Sequence, residues 1–170
     1  MRSLFSWWKT PRDEGQALYA ALVAEARRPA WYIDGEVPDS LDGRFGVLAS
    51  VVAIAILRLE AGGDGAVRGS VALTESFISD MDAQMREVGF GDPSVGKQVR
   101  SMVGALASRV DRWRLARSGE IDWADATRFS VYRDAPPSDK AMSFAGRELQ
   151  RFDERLLGIS DDSLMKGALA

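Results

Sequence analysis

Apolar residues recur along this chain at spacings of three and four, and the two-residue alternation of strands is weak throughout. Ala17, Leu18, Ala21 and Leu22 share one face of a predicted helix from Asp13 to Arg27, and Pro29 stops it. Residues 29–40 are rich in turn formers (Pro29, Asp34, Gly35, Pro38, Asp39) and read as a loop. A second helix, Leu41 to Leu59, is apolar nearly all round and is predicted to lie at the centre of the fold. Gly62-Gly63-Asp64-Gly65 ends it. The third, Ala66 to Val88, carries Val67, Val71, Thr74, Ile78, Met81, Met85 and Val88 in one seam. Gly89 to Pro93 breaks the chain, and Ser94 is a candidate cap for a fourth helix reaching Arg117, with Val95, Val99, Met102, Leu106, Val110 and Trp113 on one side. A shorter helix covers Ile121 to Tyr132. A last long one follows Pro136-Pro137-Ser138, with Met142, Ala145, Leu149, Phe152 and Leu156 in line, and ends at Gly158. The pattern predicts an all-α fold: a single irregular bundle of about six helices over 13–158, after an N-terminal segment 1–12 and before a tail 159–170 with at most one frayed turn.

Composition narrows the chemistry. The 170 residues suit one core, and 46% apolar with 28% charged is an ordinary globular balance. There is no cysteine, which excludes disulfides and thiolate chemistry. There is no histidine, which excludes a Ser-His-Asp triad, a His-ligated zinc and histidine-ligated haem from this chain alone. The prior therefore shifts from enzyme to binding protein, with no cofactor expected. The net charge of −3 does not suggest sequence-specific nucleic-acid binding. Its distribution is uneven: residues 29–96 hold 11 acidic and 4 basic side chains, and residues 97–117 hold 6 basic and 1 acidic. Such asymmetry can orient a partner, or can simply be solvated helix faces. The opening Met1 to Lys9 has too short an apolar run for a secretion signal, and Val47 to Leu57 is too short to span a bilayer. A cytoplasmic protein is expected.

Three clusters offer chemistry. Asp80 and Asp82 flank Met81; an Asp-x-Asp pair can hold Mg²⁺ from a loop, but residues two apart on a helix point away from each other. With Glu87 they define an alternative reading, a small carboxylate-dependent metal-binding protein or enzyme; the other reading is surface carboxylates and no metal. Asp82 and Arg86 stand at i, i+4 and can pair. In Val37 to Phe45, Asp39 or Ser40 can cap the second helix, either as a plain cap or as a rigid knuckle presenting Arg44. Trp31 and Tyr32, just before it, are either tucked onto the core or offered to a partner.

The blocks Ala26-Arg27-Arg28-Pro29-Ala30-Trp31-Tyr32 and Val37 to Phe45, then Asp80-Met81-Asp82, Arg86-Glu87-Val88-Gly89 and Gly91-Asp92 through Lys97, resemble in order and spacing the signatures of the ubiquinol–cytochrome c chaperone family. The likeness spans roughly 13–132. It implies a non-enzymatic assembly chaperone for the cytochrome bc1 complex, in a bacterial member, with newly made cytochrome b or another membrane subunit as client. It also implies association with the ribosome or the inner-membrane surface. Departures fall at Ser50, where members often carry histidine, at Ala107-Ser108-Arg109 in place of an aromatic-Gly-Arg step, and at Arg128-Phe129 in place of an Arg-Asn pair.

The second and third helices are joined by a Gly-rich turn and are expected to run antiparallel. The start of one then lies beside the end of the other. This predicts one patch, structural or partner-binding, from Trp31, Tyr32, Asp39, Arg44 and Phe45 together with Asp82, Arg86, Glu87 and Asp92. Arg44 is expected near Glu87 and Asp92, and Arg86 near Asp39 and Asp42.

Overall fold

The protein is described by a computed structural model over residues 11–89, 91–133 and 136–170. The N-terminal reading of Met1 to Lys9 lies outside these residues. Eight α-helices follow in order: α1 (Pro11–Ala26), α2 (Pro29–Ile33), α3 (Leu41–Glu60), α4 (Asp64–Glu87), α5 (Asp92–Ser118), α6 (Trp123–Thr127), α7 (Asp139–Leu157) and α8 (Asp161–Met165). A π-helical turn, Arg128–Tyr132, continues α6. Among the described residues there is no strand.

α3 is the axis of the bundle. Residues 46–59 are all buried, and α1, α4, α5, α7 and the π turn all pack on it. Its side chains leave no polar face to solvate, so the only stable place for it is the centre. Ser40 caps it as expected, its Oγ accepting from Gly43 N–H at 3.2 Å. Ser50 is fully buried, and its hydroxyl donates to the Gly46 carbonyl one turn back at 2.7 Å. Gly46 itself has no room for a side chain: a Cβ there would lie 2.7 Å from the Val131 carbonyl of the π turn.

α1 runs beside α4 at close range. A Cβ on Gly15 would come within 2.8 Å of the Ala72 backbone, and further along Tyr19 meets Phe77 edge-on at 6.5 Å. The last turns of both helices therefore reach the same end of the bundle. The α3–α4 hairpin brings the start of α3 to that end as well.

Several sequence expectations are revised. The α4 seam is rotated: Val67, Val71 and Val88 are exposed, and Ala66, Gly69, Ser70, Leu73, Phe77, Met81 and Met85 form the buried stripe. α5 begins at Asp92 with Gly91 as its N-cap, so Ser94 lies inside the helix. Pro29 does not merely stop α1; it opens α2 as a first-turn proline inside the expected loop. The helix expected over 121–132 is α6 plus the π turn. The tail is not frayed. Ser160 caps α8, Leu164 and Met165 are buried, and Met165 rests on Gly69. Arg58 ties this end down: Nε donates to the Leu156 carbonyl at 2.9 Å, Nη2 to Ile159 at 2.5 Å, and Nη1 pairs with Asp161 at 2.8 Å. Asp161 also accepts from Gly63 N–H at 3.0 Å, and these donors hold its carboxyl below the usual range.

Candidate functional site

The segment between α1 and α3 is short of helix but well anchored. Trp31 is 1% exposed; its Nε1 donates to the Glu25 carbonyl at 3.0 Å and its ring meets Phe144 edge-on at 6.4 Å. Tyr32 donates to the Ala26 carbonyl at 3.1 Å. Tyr132 donates to the Gly35 carbonyl at 2.6 Å, and burial pushes that phenol well above its usual range. Glu36, at a positive φ of 50°, accepts from the N–H and hydroxyl of Ser138 at 2.9 and 2.8 Å. Four separate ties thus hold the loop to α1, the π turn and the start of α7. It is a rigid support, which is what a recognition surface on a loop needs.

Beside this support lies a groove of about 800 Å³ between the end of α1, α2, the start of α3, the end of α4 and Met102 of α5. Phe45, Leu48, Met81 and Met102 give it an apolar floor. Ile33, 73% exposed, and Leu41, 48% exposed, stand at its mouth. Large apolar side chains exposed at the rim of a groove with an apolar floor make it a candidate docking surface. Arg27, Asp39, Arg44, Asp80 and Glu87 also line it, mixing both signs of charge.

Of the residues expected to form one patch, Tyr32, Asp39, Arg44, Phe45 and Glu87 line this groove together. Trp31 belongs to the core and supports the site from beneath. Asp82 and Arg86 lie in the last two turns of α4, off the groove lining, and pair with each other at 2.8 Å. The side chain of Asp92 is outside the described residues. Arg44 was expected to reach Glu87 and Asp92; it pairs within its own knuckle, Nε to Asp39 at 2.7 Å, because that carboxylate is five residues away on the same turn. The hydrogen bond to Asp39 holds the guanidinium firmly charged.

Two carboxylates of α4, Asp80 and Asp82, have protein partners, and that of Asp82 is Arg86. Asp80 accepts from the Tyr19 phenol at 2.6 Å and from Gln84 at 2.9 Å. Burial first, then this bond, raises the Tyr19 phenol above its usual range. Among the described residues no group of three or more Asp and Glu could hold a metal ion. Phe45, in the groove floor, packs against Phe77 at 6.1 Å and carries the Arg109 guanidinium 5.2 Å from its ring centre.

Arg109 was not anticipated as a buried group. It is 2% exposed; Nε donates to the Ser130 carbonyl and Nη1 to Ala105, both at 2.9 Å, while Nη2 has no partner among the described residues. Burial, aided by the charge of Arg133, lowers it to about 10. It occupies the buried stripe of α5 with Leu106, Trp113 and Ala116, where the sequence pattern pointed to Val110. The available signal was its spacing, three after Leu106 and four before Trp113. Ile33, Leu41, Leu48 and Met102 were likewise missed as site residues. Met102 had read as core, and Ile33 and Leu41 sit singly beside turn formers.

Comparison with known proteins bears on this region directly. A family model described as ubiquinol-cytochrome C chaperone matches residues 34–127, which include most of the groove-building side chains. The crystal structure of the Cbp3 homolog from Brucella abortus is similar, with a TM-score of 0.77 and 25% sequence identity, covering 91% of this chain and 86% of that one. No curated protein matches. Since the family match covers more than half of the chain and runs through the knuckle, α3, α4 and the α5 segment of the groove, this protein belongs to the ubiquinol-cytochrome C chaperone family.

Proposed function

We propose that the chain is a non-catalytic assembly chaperone of the cytochrome bc1 complex that shelters an apolar segment of a newly made membrane subunit, cytochrome b, in the groove at the start of α3. The observation that carries this reading is the groove itself, with its apolar floor of Phe45, Leu48, Met81 and Met102, exposed Ile33 and Leu41 at the mouth, and charges of both signs around it. An amphipathic or apolar helix is the occupant such a groove fits, its apolar face on the methionines and its flanks against the charges. Methionine side chains adapt to varied surfaces, which suits a client that has not finished folding. Family membership supplies the bc1 context.

Work at the inner-membrane surface or beside a ribosome fits the same reading. Among the described residues no helix is long and apolar enough to cross a membrane. The test is a photocrosslinking amino acid placed at Ile33 or Leu41 in cells making the bc1 complex. Capture of cytochrome b from these positions, and not from the exposed Leu157, is the expected result. Equal capture from Leu157, or no capture of any bc1 subunit, removes the proposal.

A further inference from the structure

A second cleft, of about 580 Å³, shares no residue with the groove. It is lined by Arg112 of α5, Ile121, Asp125 of α6, and Arg128, Phe129 and Arg133 of the π turn and its cap. Three guanidiniums face one carboxylate. Many arginines elsewhere in the fold are ion-paired, among them Arg44 with Asp39, Arg58 with Asp161, Arg114 with Glu60 and Asp111, and Arg117 with Asp153, whereas this cleft gathers three that are not. Among the described residues Arg112, Arg128 and Arg133 have no ion-pair partner.

The local backbone explains how they come together. Arg133 N–H donates to the Arg128 carbonyl at 2.9 Å, closing the wider ring of a π-helix. In an α-helix, residues five apart would stand about 140° apart around the axis. Here the chain is returned on itself, at a positive φ of 44° for Arg133, and both side chains border one cleft. Arg112 is set against the Phe129 ring, its guanidinium carbon 4.5 Å from the ring centre. A stacked guanidinium keeps its in-plane N–H groups for other acceptors. Burial first, and then the charge of Arg133, make Arg109 hold its proton less tightly, so the Arg133 charge is felt within the adjoining core.

We propose that Arg112, Arg128 and Arg133 form a binding site for a phosphate group, carried by a lipid headgroup or by a free phosphate compound. The guanidinium fork matches phosphate oxygens, and a phosphate can accept from forks on separate elements at once, where a carboxylate has only two oxygens to share. A nucleic-acid strand fits less well, because Arg112 already covers the one aromatic ring a base could stack upon. The site stands apart from the client groove, so either assignment can fail alone.

The test uses the full chain with two probes: pyrophosphate by titration calorimetry, and flotation with phosphatidylcholine vesicles with or without phosphatidylglycerol. Wild type is expected to bind pyrophosphate, and the double variant Arg128→Gln with Arg133→Gln to bind it roughly 25-fold more weakly, about fivefold per arginine. The control Lys97→Gln with Arg100→Gln removes the same charge from exposed positions earlier on α5 and is expected to change nothing. Flotation with anionic vesicles only, displaced by pyrophosphate, identifies a headgroup as the source. Pyrophosphate binding without flotation identifies a soluble phosphate compound. If the double variant melts early, Arg112→Lys keeps the charge, loses the fork, and is expected to weaken pyrophosphate several-fold. Absence of binding to both probes, equal weakening by the control pair, or binding of RNA in place of either probe overturns the assignment.

Discussion

Helix α3 carries an arginine near each end, and the surroundings of the two differ in kind. Arg58, at the C-terminal end, is 9% exposed and spends its donors on two carbonyls and a carboxylate of the α7–α8 connection. Arg44, at the N-terminal end, is open to water and holds one carboxylate of its own loop. The first end is closed by the chain's own tail. The second has no such cover among the described residues and is bordered by exposed Ile33 and Leu41. Among the described residues α3 is covered from Gly46 to Leu59, and its first turn, Leu41 to Arg44, stands partly open. The difference teaches where to look for a partner: at the end that the described residues leave open.

The contrast can be broken most severely at Arg58. Arg58→Ala strips a half-exposed carboxylate and two carbonyls of their donor, and should cost about 2–4 kcal/mol in denaturant unfolding. A loss below about 1 kcal/mol would mean that the closed end is not held by this residue. Next in size, Asp80→Ala leaves the buried Tyr19 phenol without its acceptor and should cost about 1–3 kcal/mol in the same assay. Combined with Asp82→Ala, it should leave a folded protein whose Mg²⁺ or Mn²⁺ titration matches wild type; a wild-type metal affinity that disappears in the double variant would restore the metal reading.

Asp161 sharpens the comparison through pH. Its carboxyl is held below the usual range by Gly63 N–H and Arg58, so it stabilises the fold above the pH at which the unfolded chain's carboxyl ionises. That contribution drains away as pH falls through the lower, folded value. Asp161→Asn should therefore reduce the fall in melting temperature on the acid side of pH 4 while lowering stability at pH 7. Parallel acid profiles for variant and wild type would refute this. The smallest effect on stability belongs to Arg44→Ala. Its melting temperature should match wild type, because exposed pairs contribute little, while crosslinking of cytochrome b from Ile33 should fall. An unfolded Arg44→Ala protein would make the knuckle structural.

How much of this was legible in the sequence depends on which residues carry the packing. α3 announced its place because every face of it is apolar. The α4 face did not, since α1 and α8 approach it through Ala72 and Gly69, and contacts made through small residues escape a pattern of large apolar ones. Val67 and Val71 are the larger side chains and are the exposed ones. α8 is five residues long, too short for any period to emerge, and its docking rests on Arg58, 98 or more residues away for each contact. The π turn breaks the helical period altogether. At the candidate site, the meeting of Tyr32, Asp39, Arg44 and Phe45 with Glu87 followed from the α3–α4 hairpin. The choice of ion partners did not, because short-range geometry within the knuckle decides it.

The central position of α3 has a consequence for how the molecule breathes. Amide protons of residues 47–57 are sealed by neighbours on every side, so they can meet solvent deuterium only when the whole bundle opens, and should exchange slowest. The first turn of α3, where Leu41, Asp42 and Arg44 are exposed, can open in small excursions without disturbing that axis or the anchored segment before it. Deuterium uptake should therefore rise steeply from the middle of α3 toward Leu41. The mouth of the groove proposed to take a client would then loosen at Leu41 on a short timescale while the anchored loop and the core keep their shape.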